Sequence, residues 1–323
     1  MRDRVAITSV HFHNYKALKD FSLSLREMNI IVGPNNSGKS TVLSAFRVLS
    51  AGLRRANARK PDLVRAPDGT RVGYRIFEET LPISIENIHT DDSETDTTVK
   101  FRLSNKNELL LFFPADGGCA LIPETTGRRI SSAASFRSAF PIGVGVVPVL
   151  GPVEHRERLL AEDTVRRDLY THRASRHFRS YWYHYPQGFD DFADLVHKTW
   201  PEMEIFRPGR AGSLSDELAM ACEERRVPRE LFSSGFGFQV WCQLLTHIVR
   251  SSDQTVLVVD EPEIYLHPDV SGKKVLRRLR DEVQSKYGVN LTDHRIVEAF
   301  HAEEVPQDLK TLIEALEKYR TGR

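Results

Sequence analysis

Residues 33–41, Gly-Pro-Asn-Asn-Ser-Gly-Lys-Ser-Thr, constrain this chain more than any other stretch. They follow a short apolar run, Met28-Asn29-Ile30-Ile31-Val32, which predicts a buried strand. They precede Thr41-Val42-Leu43-Ser44-Ala45-Phe46-Arg47-Val48-Leu49, whose apolar residues recur at helical spacing. Strand, glycine loop and helix form the context in which G-x-x-x-x-G-K-[ST] cradles a phosphate. Gly33 and Gly38 let backbone N–H groups turn inward toward phosphate oxygens, and the new helix adds its positive end. Lys39 is expected to reach the β- and γ-phosphates and Ser40 to hold Mg²⁺. Asn35, Asn36, Ser37 and Thr41 complete the expected nucleotide-binding set. The plain alternative is a Gly/Asn turn followed by a chance Lys-Ser, and the two correct flanks argue against it. A chain built this way is expected to bind a nucleoside triphosphate, with ATP and Mg²⁺ as its ligands.

The rest of the composition excludes more than it selects. A length of 323 residues allows one large domain or two ordinary ones. A formal net charge of +1 gives no global pull toward nucleic acid or a membrane, so any DNA contact needs a local patch. Cys119, Cys222 and Cys242 are far apart and form no metal-spaced pair, which suits a reducing cytosol. Met1-Arg2-Asp3-Arg4 leads into an alternating strand and not a signal sequence, and no apolar run approaches the ~18 residues of a membrane span.

Along the chain, Val5–Phe12 and Leu18–Leu25 alternate as a hairpin would. Residues 50–70 are basic and contain proline, and read as a surface excursion. Residues 73–122 read as an antiparallel meander, with Pro82–Ile88, Thr98–Leu103 and Glu108–Phe113 as strands. Residues 141–153 read as a buried strand ending in a Gly-Pro turn. Residues 155–230 read as mostly helical, and everything after Pro268 as helix.

Two further motifs extend the nucleotide reading. Val256-Leu257-Val258-Val259 predicts a strand buried on both faces, with Asp260 and Glu261 at its carboxyl end. A carboxylate there is costly unless it meets a cation. Asp260 would hold Mg²⁺, and Glu261 would orient and deprotonate an attacking water. A strand end that simply reaches solvent is the bland alternative. Ser233-Ser234-Gly235-Phe236-Gly237-Phe238-Gln239 then opens an apolar helix, forming a second anion cradle at Ser234 and Gly235 or a plain helix cap. Gln239 is a candidate contact to Mg²⁺ or water, as is Gln187.

In this order, the phosphate loop, antiparallel sheet, Ser-Gly helix start and Asp-Glu-Pro strand resemble the ATPase heads of the ABC superfamily, in the branch of SMC and RecF-like proteins. The wording Asp260-Glu261-Pro262-Glu263-Ile264-Tyr265-Leu266-His267-Pro268, with Phe12-His13-Asn14-Tyr15-Lys16-Ala17-Leu18, is similar to the OLD (overcoming lysogenization defect) family of ATP-dependent endonucleases. The resemblance implies an α/β P-loop NTPase fold with an ABC-type head over residues 1–270. Within it, 73–122 would be the antiparallel β subdomain and 155–240 the helical lobe carrying the signature. Residues 271–323 would be a helical tail. It also implies head-to-head dimers with ATP between the phosphate loop of one subunit and Ser234-Gly235 of the other, DNA as the eventual substrate, and a cytoplasmic setting in repair or phage defence.

The chain departs from that family after Pro268. Members continue to a buried strand ending in a γ-phosphate-sensing histidine and then to a TOPRIM nuclease domain. Here no apolar strand is legible, and His294 reads as part of a turn. A shortened form is expected, with a bare sheet edge near Val256–Val259, impaired hydrolysis and a separate nuclease or effector chain as a partner. A non-hydrolysing nucleotide-binding scaffold that restrains a toxin or nuclease is the alternative function. The stretch Glu154–Tyr185, with Arg156, Arg158, Arg166, Arg167, Arg173, Arg176 and Arg179 among aromatics, could grip nucleic acid. Helical ion pairs over buried aromatics explain it better. Arg54, Arg55, Arg59, Lys60 and Arg65 read as a solvated loop, and His155, His172, His177 and His184 lack zinc spacing. The purified chain is expected to leave plasmid DNA intact in the presence of divalent metal; nicking in an agarose-gel assay would contradict this reading.

Overall fold

The computed structural model describes residues 5–26, 28–33, 37–78, 81, 88–90, 95–171, 173–200, 202–261 and 295–301. In chain order the first elements are β1 (Ile7–Tyr15), β2 (Leu18–Ser24), β3 (Met28–Gly33), α1 (Lys39–Ala58), β4 (Asp62–Ala66), β5 (Gly69–Ile76), β6 (Thr97–Leu103), β7 (Glu108–Phe113), β8 (Cys119–Glu124), α2 (Ala133–Ala139) and β9 (Val144–Val147). There follow β10 (Glu157–Arg158), α3 (Glu162–Asp168), α4 (Phe178–His184), α5 (Phe189–Thr199), β11 (Met203–Ile205), β12 (Gly209–Arg210), β13 (Glu217–Ala219), β14 (Ala221–Glu224) and β15 (Val227–Glu230). The chain closes with α6 (Phe236–Arg250), β16 (Val256–Asp260) and β17 (Arg295–His301). It divides into two units. One takes Met1–Val146, Asp253–Val258 and Thr292–Ala299; the other takes Val147–Ser252, Val259–Leu291 and Phe300–Arg323.

The first unit is built on a seven-stranded sheet of order β2-β1-β6-β7-β8-β5-β4, every neighbouring pair antiparallel. Strand β7 shows why its sequence does not alternate. Leu109, Leu111 and Phe113 face the main core, while Leu110 and Phe112 join Val64, Ala66, Ala120 and Ile122 on the other side. Helix α1 lies in the main core with Val42, Leu43, Ala45, Phe46, Val48, Leu49, Leu53 and Ala56 buried. Phe46 meets Phe101 edge-on at 5.3 Å. Gly52 permits close approach: a Cβ there would stand 3.1 Å from both Ile76 Cδ1 and Leu121 Cδ2. The Ser50 hydroxyl donates to the Val144 carbonyl at 2.7 Å, tying α1 to β9.

A second sheet has the order β3-β17-β16-β9. It corrects two expectations. Strand β16 is flanked on both sides and Val256–Val259 are buried, so no bare edge exists there. The tail expected to be helical contributes Arg295–His301 as a strand between β3 and β16; 262–294 and 302–323, with His294 and the Pro262–Pro268 motif, lie outside the described residues. Arg295, Glu298 and His301 interrupt the apolar run and hide the strand from a composition reading. Residues 50–70 are likewise no surface excursion. Helix α1 runs through Ala58, and Asp62–Ala66 pairs with Gly69–Ile76. Pro82–Asn87 lie outside the described residues.

The second unit is less helical than its composition suggests. Alongside α3–α6 it holds two three-stranded sheets, β10-β13-β12 and β11-β14-β15. Their strands are only two to four residues long, too short to show a period. Trp182 Nε1 donates to Thr246 Oγ1 at 3.0 Å, and Trp241 Nε1 to Thr199 Oγ1 at 2.9 Å, so both buried indoles are satisfied. Arg179 is fully buried between Glu157 and Glu230. Burial pushes the Glu157 carboxyl up, opposed by hydrogen bonds from the backbone N–H groups of Ser180 and Arg179. Within the run Glu154–Tyr185, Arg166, Arg167 and Arg179 form ion pairs and Phe178 and Trp182 are buried, while Arg156, Arg158, Arg173 and Arg176 are exposed. Cys119, Cys222 and Cys242 are free and buried; burial pushes the Cys222 thiol up to about 11 and also raises the other two well above the ordinary thiol value. Among the described residues no helix is long and apolar enough to cross a membrane.

Two predictions follow from this packing. At Gly73 a Cβ would lie 2.6 Å from Val64 Cγ2 and 2.8 Å from the Leu121 carbonyl oxygen, and the backbone oxygen cannot move aside cheaply. Gly73→Ala should destabilise by about 1–3 kcal/mol in urea unfolding, whereas Gly209→Ala, with open space around it, should lie within about 0.5 kcal/mol of wild type. His247 is buried, and burial and then Arg250 hold its pKa well below the usual imidazole value. Its Nδ1 accepts from Arg250 Nε at 3.0 Å. The unfolded chain takes up a proton below about pH 6.5 that the folded imidazole refuses, so stability falls on acidification through that range. Thermal melts between pH 6.5 and 5 should show a flatter decline for His247→Gln than for wild type.

Candidate functional site

In the first unit the phosphate loop runs from the end of β3 into α1. Pro34, Asn35 and Asn36 lie outside the described residues, and for Gly33 only the strand assignment is described. Gly38 is the N-cap of α1 with φ 90°, the left-handed conformation that side chains resist, and it has no side chain to cap the helix. A Cβ at Gly38 would stand 3.2 Å from Leu18 Cδ2. Lys39 and Thr41 are buried, while Ser37 and Ser40 are exposed. The first turn of α1 holds no acidic residue, whereas α3 and α5 begin with Glu162-Asp163 and Asp190-Asp191. The positive end of α1 is thus not answered by a carboxylate of its own first turn.

Sequence reading missed the residues that brace this turn. The Tyr15 hydroxyl lies 2.9 Å from Ser44 Oγ, and Ser44 Oγ donates to the Thr41 carbonyl at 2.7 Å. Tyr15 and Leu18 flank the tip of the β1–β2 hairpin, where Asn14 and Lys16 take positive φ. Burial, then the Arg47 guanidinium, lowers the Lys16 pKa. The sequence signal for this brace is the apolar-flanked turn Tyr15-Lys16-Ala17-Leu18.

The strand bearing Asp260 is buried along its whole length, and Asp260 itself is only 8% exposed. Glu261 follows at φ 49°, a left-handed conformation that costs a non-glycine residue on the order of 1 kcal/mol and that concentrates at functional positions. The donor set suits magnesium triphosphate: an ammonium, a hydroxyl and a buried carboxylate, with glycine where the backbone turns. The Ser40 hydroxyl and the Asp260 carboxylate are each hard oxygen donors of the kind Mg²⁺ takes.

Helix α6 begins at Phe236 with Gly235 as N-cap and, like α1, has no acidic residue in its first turn. Gly235 faces open space and Phe236 is half-exposed. The Ser234 hydroxyl donates to the Leu231 carbonyl at 2.6 Å. Gln239 departs from expectation. It is fully buried, its Oε1 accepts from Val153 N at 3.0 Å, and its Nε2 donates to the Phe232 and Ser234 carbonyls at 2.9 and 2.8 Å. Its amide is consumed by backbone, so it does not serve as a metal or water contact. Gln187 is exposed. The basic residues are also engaged: Arg54 donates to Ser50 Oγ at 2.9 Å, Arg55 stacks over Phe77 at 4.5 Å, and Arg65 pairs with Asp116.

A family model described as "AAA domain, putative AbiEii toxin, Type IV TA system" matches residues 28–294. The DNA double-strand break repair Rad50 ATPase of Archaeoglobus fulgidus is 27% identical over 162 residues, 50% of this chain and 17% of that protein, so the match spans under a fifth of that relative's length. The recombination mediator protein RecF-ATPrS of the RecFOR pathway aligns with a TM-score of 0.51 and 13% identity, covering 95% of this chain and 94% of that one. The SMC head domain from Thermotoga maritima aligns at 0.47 and 11%, covering 92% and 89%. The RecF likeness supports the mixed α/β fold. The chain belongs to the AAA-domain family whose model spans most of its length.

Proposed function

We propose that this chain binds MgATP and works as a dimerising, DNA-directed ATPase head. The observation that carries this is the start of α1: left-handed Gly38, buried Lys39, exposed Ser40 and no acid in the first turn. Lys39 neutralises phosphate charge, with Gly33, Asn35, Asn36, Ser37, Gly38 and Thr41 around it. Ser40 and Asp260 hold Mg²⁺, which when bound supplies charge neutralisation at the phosphates. Glu261 takes the proton of the attacking water, held ready by its strained backbone. Ser234 and Gly235 reach the nucleotide of a second copy. His301, the last residue of β17, is our candidate for the γ-phosphate-sensing histidine that the resemblance implies.

DNA enters as a proposed partner because Rad50 is described as a break-repair ATPase and RecF as a recombination mediator. The Asp260–Pro268 wording supports an OLD-like defence setting with a separate nuclease or effector, in the cytoplasm. The family's description as part of a toxin–antitoxin system favours a second reading, a nucleotide-bound scaffold that restrains a toxin without hydrolysis. Titration calorimetry and phosphate release separate the two. Wild type should bind and turn over MgATP. Lys39→Ala should lose binding, and Glu261→Gln should bind within about threefold of wild type while turnover falls at least ~100-fold. Binding without turnover in wild type supports the scaffold, and no binding at all overturns both.

A further inference from the structure

The polar interior of the second unit converges on one short piece of backbone. Residues Glu230–Gly235 lead into α6. Their front is open: Ser233 is exposed, Gly235 meets nothing within 4 Å, and Phe236 is half-exposed. Their back is held by buried side chains. The Glu230 carboxylate accepts from Phe232 N at 2.6 Å and from Met220 N at 3.3 Å. Arg179 fixes that carboxylate through Nε and Nη2 at 3.0 and 2.6 Å, and its Nη1 reaches the Glu154 carbonyl at 2.8 Å and Glu157 at 3.4 Å. Gln239 pulls on the Phe232 and Ser234 carbonyls from inside while accepting from Val153 N. The rings of His155 and Phe232 sit 4.4 Å apart.

Both latches therefore join the same two segments, Val153–Glu157 and Glu230–Ser234. Burying an arginine with two carboxylates strips all three of water, and apolar residues of similar volume would often stabilise as well. A polar network aimed at the backbone of one exposed turn instead fixes where that turn's N–H groups point. We infer that Arg179 and Gln239 are positioning residues that hold the Ser233–Gly235 turn at the height needed to engage the nucleotide of a second copy, and this rests on the dimeric ATPase reading. They act through the turn. Nucleotide affinity of the single chain is set at Lys39 and should not depend on them.

The test uses Arg179→Lys, Glu230→Gln and Gln239→Leu in the full chain. Glu230→Gln keeps an acceptor for Phe232 N and loses the charge. MgATP affinity of the monomer should stay within about twofold of wild type, while kcat falls at least tenfold and MgATP-dependent dimerisation of a Glu261→Gln background weakens by a similar factor. Amide exchange in peptides covering 231–235 should quicken at least tenfold, with exchange in α1 unchanged. Unaltered kcat, dimerisation and exchange in folded Arg179→Lys would overturn the assignment. A uniform loss of affinity and activity that tracks a lowered Tm would also overturn it, since that is what packing alone predicts. If wild type neither turns over nor dimerises, the ATPase reading fails on wild type alone. The latch then stands or falls on the exchange rates at 231–235.

Discussion

Burial of α1 around nearly its whole circumference is the constraint on which the first unit depends. Val42, Leu43, Phe46, Leu49 and Leu53 cannot leave the core without exposing several large side chains, each worth about 1.5–3 kcal/mol. A helix fixed so firmly must still begin somewhere, and its beginning carries N–H groups that the helix cannot satisfy. Gly38 supplies no cap and the first turn supplies no acid. The hydrophobic core thus delivers an oriented, electropositive helix end. The hairpin tip packs beside it through Leu18, and Tyr15 and Ser44 restrain its first turn. Packing energy holds the geometry of this helix start, where Lys39 is buried and Ser40 exposed.

The second unit reaches a comparable result by other means. Its helices α3 and α4 have seven residues each, too short to be stable alone. Its sheets have three strands each. Beside its buried apolar side chains it holds polar groups satisfied deep inside, with Arg179 and Gln239 both making several bonds and both indoles paired. Such a network is directional, as a hydrophobic cluster is not, and a missing partner leaves a stranded buried group.

What was legible in the sequence followed the length of each signal. The glycine loop, the hairpin and the four-residue apolar run before Asp260 stand out because neighbouring residues repeat one instruction. The sheet strands Thr97–Leu103 and Glu108–Phe113 were visible for the same reason. The two-residue strands at Glu157 and Gly209 carry no period at all. The continuation of α1 through Arg54, Arg55 and Ala58 was hidden by charge that sits only on its outer side. Gln239 looked like a ligand residue because glutamine type says nothing about direction. Only the positions of Val153, Phe232 and Ser234 show that its amide points into the fold.

The sequestered sulfurs have a practical corollary. Cys119, Cys222 and Cys242 are 4%, 1% and 0% exposed, and their thiols resist ionisation at neutral pH. Maleimides and iodoacetamides attack the thiolate, so the native chain offers them almost nothing while it stays folded. A single cysteine introduced at an exposed position would be the one addressable handle for a fluorophore or spin label, with no need to strip the natural residues first.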